Sequence, residues 1–141
     1  MNKLINTLKP AGLVIVYCSA LFSYSALADI AVIANTDSAS SNLSIKDVKK
    51  IFLGKNTSMT PVDQPDGNAT RNAFYQKAAK KNESQMKAYW SKMIFSGKAI
   101  PPETSANDAS VITWVTNNKN GIGYIDSASV DGSVKILLTI K

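Results

Sequence analysis

Short apolar segments alternate with amphipathic helical segments along residues 29–141, and this order restricts the fold more than any other feature of the chain. Strand character is found at 29–34, 60–64, 122–125 and 134–140. A buried strand is typically a short, nearly continuous apolar run, as at 29–34. Four segments with helical periodicity lie between the first strand and the last two. Strands interleaved with helices predict one α/β domain.

The helix boundaries follow from capping residues and glycine. Ser44 is expected to cap the first helix in a variant capping box with Asp47, and Gly54 suits the position after its end. The second helix is predicted from Arg71 to about Lys81. Ser84 is expected to cap the third helix, and the fourth starts at Ser105 or Asn107. An apolar stripe on the third helix is assigned to packing; it comprises Met86, Trp90, Met93 and Ile94.

The first 28 residues have the pattern of a secretory signal peptide. Lys3 and Lys9 precede a short apolar core at 13–22, and Ala26-Leu27-Ala28 has the small-x-small form of a cleavage site. The apolar run is shorter than the roughly 20 residues that a membrane span needs. We therefore predict a cleaved signal peptide at 1–28 rather than the alternative, a retained N-terminal anchor, with a periplasmic domain at 29–141 and no membrane span after cleavage.

Residues 29–141 contain no cysteine and no histidine, and this excludes several classes of function. Disulfides, thiol nucleophiles, Ser-His catalysis and most zinc sites all need these residues. Four aspartates at 63, 66, 126 and 131 are interpreted as turn formers rather than catalysts. We predict no enzymatic activity, no catalytic residue, no metal and no cofactor. The excess of fourteen Lys or Arg over ten Asp or Glu is too small to indicate nucleic-acid binding.

A turn of small and polar residues precedes the second helix. Free backbone N–H groups at a helix N-terminus bind anions, and the helix dipole adds partial positive charge. The sequence therefore predicts a phosphate or carboxylate site here, unless the segment is an ordinary loop with an Asn or Thr helix cap. The predicted ligand-binding residues are Gly67, Asn68, Ala69, Thr70 and Arg71.

Three segments resemble the phosphate-binding proteins of ABC importers. Residues 44–55, Ser-Ile-Lys-Asp-Val-Lys-Lys-Ile-Phe-Leu-Gly-Lys, resemble that family's Leu-Ser-x-x-Asp-Leu-x-x-Ile-Phe-x-Gly-Lys segment. Residues 121–125 resemble its Ala-Ile-Gly-Tyr-Val strand, and residues 66–70 lie where it carries an Asp-Gly-Ser-Gly-Thr phosphate loop. The resemblance implies a three-layer α/β sandwich, similar to a single lobe of a type II periplasmic binding protein.

The chain also departs from that family. Asn68 and Ala69 replace the serine and second glycine of the phosphate loop, whereas Thr70 is retained. Gln64 stands where the family has an arginine, and an amide cannot offer an oxyanion a charged fork. The family's other lobe has no counterpart in this sequence.

Two functions remain open. The chain is a periplasmic solute-binding protein for phosphate or a similar oxyanion, working with an ABC permease, or it is an envelope adaptor that kept one lobe without tight ligand binding. An adaptor would dock on a porin, a sensor or a second copy of itself, through the face that the missing lobe would otherwise cover.

Overall fold

The computed structural model describes residues 28–141, and these form a three-layer α/β sandwich. The predicted signal peptide lies outside the described residues, apart from Ala28. Among the described residues, no helix is both long and apolar enough to cross a bilayer. The elements in chain order are β1 Ile30–Asn35, α1 Ile45–Phe52, β2 Thr60–Asp63, α2 Ala69–Ala79, α3 Glu83–Phe95, β3 Glu103–Thr104, α4 Asp108–Asn117, β4 Gly121–Asp126 and β5 Val134–Ile140.

The sheet has five strands in the order β3-β2-β4-β1-β5. Strand β2 runs parallel to β3 and β4, whereas β1 runs antiparallel to both β4 and β5. Each parallel crossover passes through at least one helix, as parallel pairing requires. The carboxyl ends of β2, β3 and β4 therefore lie at one edge of the sheet.

Alternating side chains of the central strand β1 divide the core into two clusters. Ile30, Val32 and Ala34 pack in the larger cluster, under α1, α2 and α3. Ala31 and Ile33 point to the other face and pack with Val111 and Val115 of α4. A strand buried on both faces reads as a continuous apolar run, as predicted for this segment. The predicted α/β sandwich is confirmed.

Asparagine caps correct two predicted helix boundaries and decide a third between its two alternatives. Helix α2 begins at Ala69 rather than Arg71, because the Asn68 side chain accepts a hydrogen bond from the Arg71 N–H. Helix α3 is capped by Asn82 rather than Ser84, in a capping box with Gln85. Of the two residues predicted for the start of α4, Asn107 is the cap. The predicted Ser44 capping box of α1 is confirmed.

Candidate anion site at the start of helix α2

The loop that joins β2 to α2 lies at the carboxyl edge of the parallel strands. Ligands of open α/β sheets commonly bind at this edge. Gly67 has φ +80°, and a β-carbon there would meet open space. The left-handed backbone conformation is what favours glycine at this position. Crowding is not the reason, because neighbouring atoms leave ample room for a side chain. The turn directs the chain straight into the first turn of α2.

Two N–H groups at the start of α2 have no acceptor within the helix. Ala69 and Thr70 are its first two residues, and such positions lack an intrahelical partner. The neighbouring groups are already bonded, since the Asn68 N–H donates to the Pro65 carbonyl at 3.2 Å and the Arg71 N–H to the Asn68 side chain at 3.0 Å. The predicted residues 67–70 therefore form one short anion-compatible turn, with the Thr70 hydroxyl beside it.

Arg71 differs from its neighbours, because its side chain is buried and already paired. Its exposed fraction is 5%. Nε lies 3.4 Å from Asp63 Oδ1 and Nη1 lies 3.1 Å from Asp66 Oδ1, in directions too poorly aligned for hydrogen bonds. Burial works against the charge, but the surrounding acidic groups, Asp63 foremost, raise the pKa of Arg71 above its ordinary value. The guanidinium is thus permanently charged and largely neutralised by carboxylates.

Asp63 is the centre of a buried polar network, which corrects its interpretation as a turn former. It ends β2 and is almost fully buried. Its carboxylate accepts hydrogen bonds from the Tyr75 hydroxyl at 2.7 Å, the Tyr124 hydroxyl and the Gln64 N–H at 2.8 Å. Burial and the nearby Asp63 charge raise the pKa of both tyrosines, so both hydroxyls stay protonated donors.

Gln64 connects the loop to the start of α4. Its side-chain amide donates to Asp108 Oδ1 at 2.9 Å and to the Tyr124 carbonyl at 3.1 Å. Asp108 also accepts from the Asp126 N–H at 3.2 Å and from the Ser129 hydroxyl at 2.8 Å. Gln64 therefore holds the turn against the sheet edge.

A pocket of about 460 Å³ adjoins the turn, between the ends of β2 and β3 and the side of α3. Asp66 and Arg71 line it together with Lys87, Trp90 and Thr104. The buried indole N–H of Trp90 has no hydrogen-bond partner. Sequence periodicity assigned Trp90 to packing and gave no signal for Lys87 or Thr104, since their positions depend on how α3 docks and how β3 pairs with β2. Within residues 28–141, no group of three or more acidic side chains is arranged to hold a metal.

Solved structures provide the comparison for this arrangement. One, from Clostridium perfringens, is described as a phosphate ABC transporter substrate-binding protein with bound phosphate; it matches at 25% identity with a TM-score of 0.63. The match covers 79% of this chain and 45% of that protein. The fold resembles one lobe of such a protein.

Two further structures share the fold at lower identity. An ABC-type phosphate transport receptor from Vibrio cholerae matches at 19% identity with a TM-score of 0.62, over 79% of this chain and 47% of the receptor. A protein from Planctomyces limnophilus matches at 13% identity with a TM-score of 0.55, over 79% of this chain and 42% of that one. No protein-family model and no curated protein matches the sequence. The three matches each cover slightly less than half of the solved protein, so the chain spans about half the length of the structures it resembles.

Proposed function

We propose that this chain is a periplasmic solute-binding protein-like lobe that binds phosphate or a related oxyanion at the start of α2 and serves ABC-type uptake. The observation that carries the proposal is the match over 79% of the chain to a protein with bound phosphate. The anion-compatible turn at the carboxyl edge of the sheet supports it independently, because two unpaired N–H groups lie there at the positive end of an eleven-residue helix.

The proposed contacts are the N–H groups of Ala69 and Thr70 and the Thr70 hydroxyl. Gly67 leaves the approach open, because it places no side chain beside the turn. Arg71 contributes little net charge, since Asp63 and Asp66 already compensate it. Each neutral hydrogen bond contributes about 1 kcal/mol, against about 1.5–3 for a charged one. The lobe alone is therefore expected to bind phosphate weakly.

Stronger binding would require groups from outside the lobe. In the solved structures that this chain resembles, the matched region is less than half of the protein. A second lobe, for example that of a second copy of this chain, would supply the remaining contacts. An ABC permease would then be the partner that receives the anion.

Isothermal titration calorimetry of the purified chain 29–141 with phosphate at low ionic strength tests the proposal, with sulfate as a second anion. Saturable binding that is weakened at least threefold by Thr70→Val is the expected result. Thr113→Val on α4 is the matched control, because Thr113 is exposed and its hydroxyl bonds only its own helix. Absence of heat at millimolar phosphate, or equal binding by the Thr70 variant, would overturn the assignment.

The compensated charge of Arg71 favours a second candidate function, an envelope adaptor without tight ligand binding. In that case a porin, a sensor or another copy would recognise the lobe as a protein surface. Sedimentation velocity with and without phosphate, together with cross-linking in the envelope, distinguishes the two functions. A strict monomer without a cross-linked partner would exclude the adaptor.

A further inference from the structure

An apolar corner at the end of α3 is exposed. Five large apolar side chains of the described residues are exposed, and three of them lie in the segment 94–100. Phe95 is 96% exposed, Ile100 is 82% exposed and Ile94 is 55% exposed. This corrects the assignment of Ile94 to packing: Met86 and Trp90 of the same stripe are buried, but the last turn of α3 extends past the core. Exposed apolar side chains that lie close together in the chain commonly mark interaction surfaces.

The charged residues in the chain segment around this corner are of one sign. Residues 84–102 contain Lys87, Lys92 and Lys98 and no aspartate or glutamate. Lys92 and Lys98 directly flank the apolar side chains, and neither forms an ion pair with another described residue. The first acidic residue that follows is Glu103, on the edge strand β3.

The same charge bias extends over the whole helical layer. Residues 45–98, which include α1, α2 and α3, hold eleven Lys or Arg and only four Asp or Glu. Residues 29–44 and 99–141 together hold three Lys and six Asp or Glu. Because α1, α2 and α3 all pack on one face of the sheet, the modest net charge of the domain hides a strongly basic side and a weakly acidic one.

We propose that the corner formed by Ile94, Phe95 and Ile100 docks on an anionic lipid surface, with Lys92 and Lys98 at the level of the headgroups. Apolar side chains flanked along the chain by lysines have the chemistry of interfacial membrane binding. The charge of the α1–α3 layer orients the domain toward such a surface before contact. A second copy of the chain would bring the same lysines together, so charge complementarity favours the lipid.

Vesicle co-sedimentation of the chain 29–141 tests the proposal. All helices and strands of the described residues lie in 30–140, so this chain contains every one of them. Vesicles of equal parts phosphatidylglycerol and phosphatidylcholine should bind it, and vesicles of phosphatidylcholine alone should bind it much less. Raising the salt from about 0.05 M to about 0.5 M should release it, because surface charges are then screened.

Substitutions locate the contact. Phe95→Ser should weaken binding to anionic vesicles roughly tenfold, as expected when a buried aromatic side chain is lost. Lys92→Gln and Lys98→Gln should each weaken it roughly fivefold. Ile100→Ser should weaken it, whereas Ile136→Ser should not, because Ile136 is the same residue type, half exposed, on the opposite edge strand β5.

Three outcomes would overturn the proposal. These are equal binding to neutral and anionic vesicles, no binding to either, and an unchanged affinity in the Phe95 variant. Concentration-dependent dimerisation that Phe95→Ser abolishes, without vesicle binding, would assign the corner to self-association instead. Circular dichroism of each variant shows that the fold is intact.

Discussion

The buried network around Asp63 makes a quantitative prediction, because one carboxylate supports several elements at once. Asp63→Asn keeps the shape of the side chain but removes its charge. Arg71 would then lose its buried counterion and keep only Asp66, whose side chain is 55% exposed. The hydrogen bonds from Tyr75 and Tyr124 would also change from charged to neutral.

The expected cost follows from these contacts. Removing one partner of a buried ion pair costs about 3–5 kcal/mol. The remaining Asp66 contact places the value near the lower end, at about 3–4 kcal/mol. With a urea m-value of about 1.5 kcal/mol/M, the unfolding midpoint should fall by about 2–2.7 M.

Urea unfolding followed by circular dichroism measures this loss. Asp37→Asn is the matched control, since Asp37 is exposed in the loop after β1, and it should change stability by less than about 0.5 kcal/mol. A double variant, Asp63→Asn with Arg71→Met, should lose less than the sum of the two single losses, by about 1–3 kcal/mol. A loss below about 1 kcal/mol for Asp63→Asn, or additive losses in the double variant, would refute this account of the network.

Three further predictions concern the fold. Burial and the Asp63 charge raise the pKa of Tyr75 and Tyr124 in the folded state, so stability should be full below pH 10 and fall above it, by about 1.4 kcal/mol per pH unit for each tyrosine. Urea midpoints measured from pH 8 to 11 check this, and Tyr75→Phe should reduce the slope; a flat profile would contradict it. Gly123→Ala should lower the free energy of unfolding, measured by thermal unfolding, by about 1–3 kcal/mol. The β-carbon of the alanine would lie 2.6 Å from a Val111 methyl group. Ser44→Ala should lower the free energy of unfolding by about 1 kcal/mol in the same measurement, since it removes the cap of α1. Ser44→Asp should keep most of that stability, because aspartate also caps helices. If the melting temperature of either alanine variant is unchanged, the role stated for the replaced residue is excluded.

The elements of the fold were predictable because local patterns specify them. The apolar run at 29–34 indicated a strand buried on both faces, and the core divides around it as expected. The Ser44 capping box has both of its hydrogen bonds. Local chemistry was less informative where several capping residues compete, as Asn82 and Ser84 do, because the choice depends on how the helix packs.

The candidate site was predictable only in part. The position of the turn at 67–70 followed from glycine and from the helix that comes next. The pairing of Arg71 did not, since Asp63 looked like a turn residue next to Pro65 and Asp66. Only the docking of α2 on the sheet brings Tyr75 and the strand residue Tyr124 to the same carboxylate.

The amino-acid sequence by itself determined the order of the four helices and of four of the five strands, the Ser44 cap of α1 and the absence of thiol and imidazole chemistry from residues 29–141. These depend on interactions between residues a few positions apart. The tertiary structure alone decided that Arg71 is compensated, that the end of α3 is exposed and that most lysines lie on one side. Burial and charge pairing depend on groups distant in sequence, such as Asp63 and Tyr124, which meet only when the sheet is assembled.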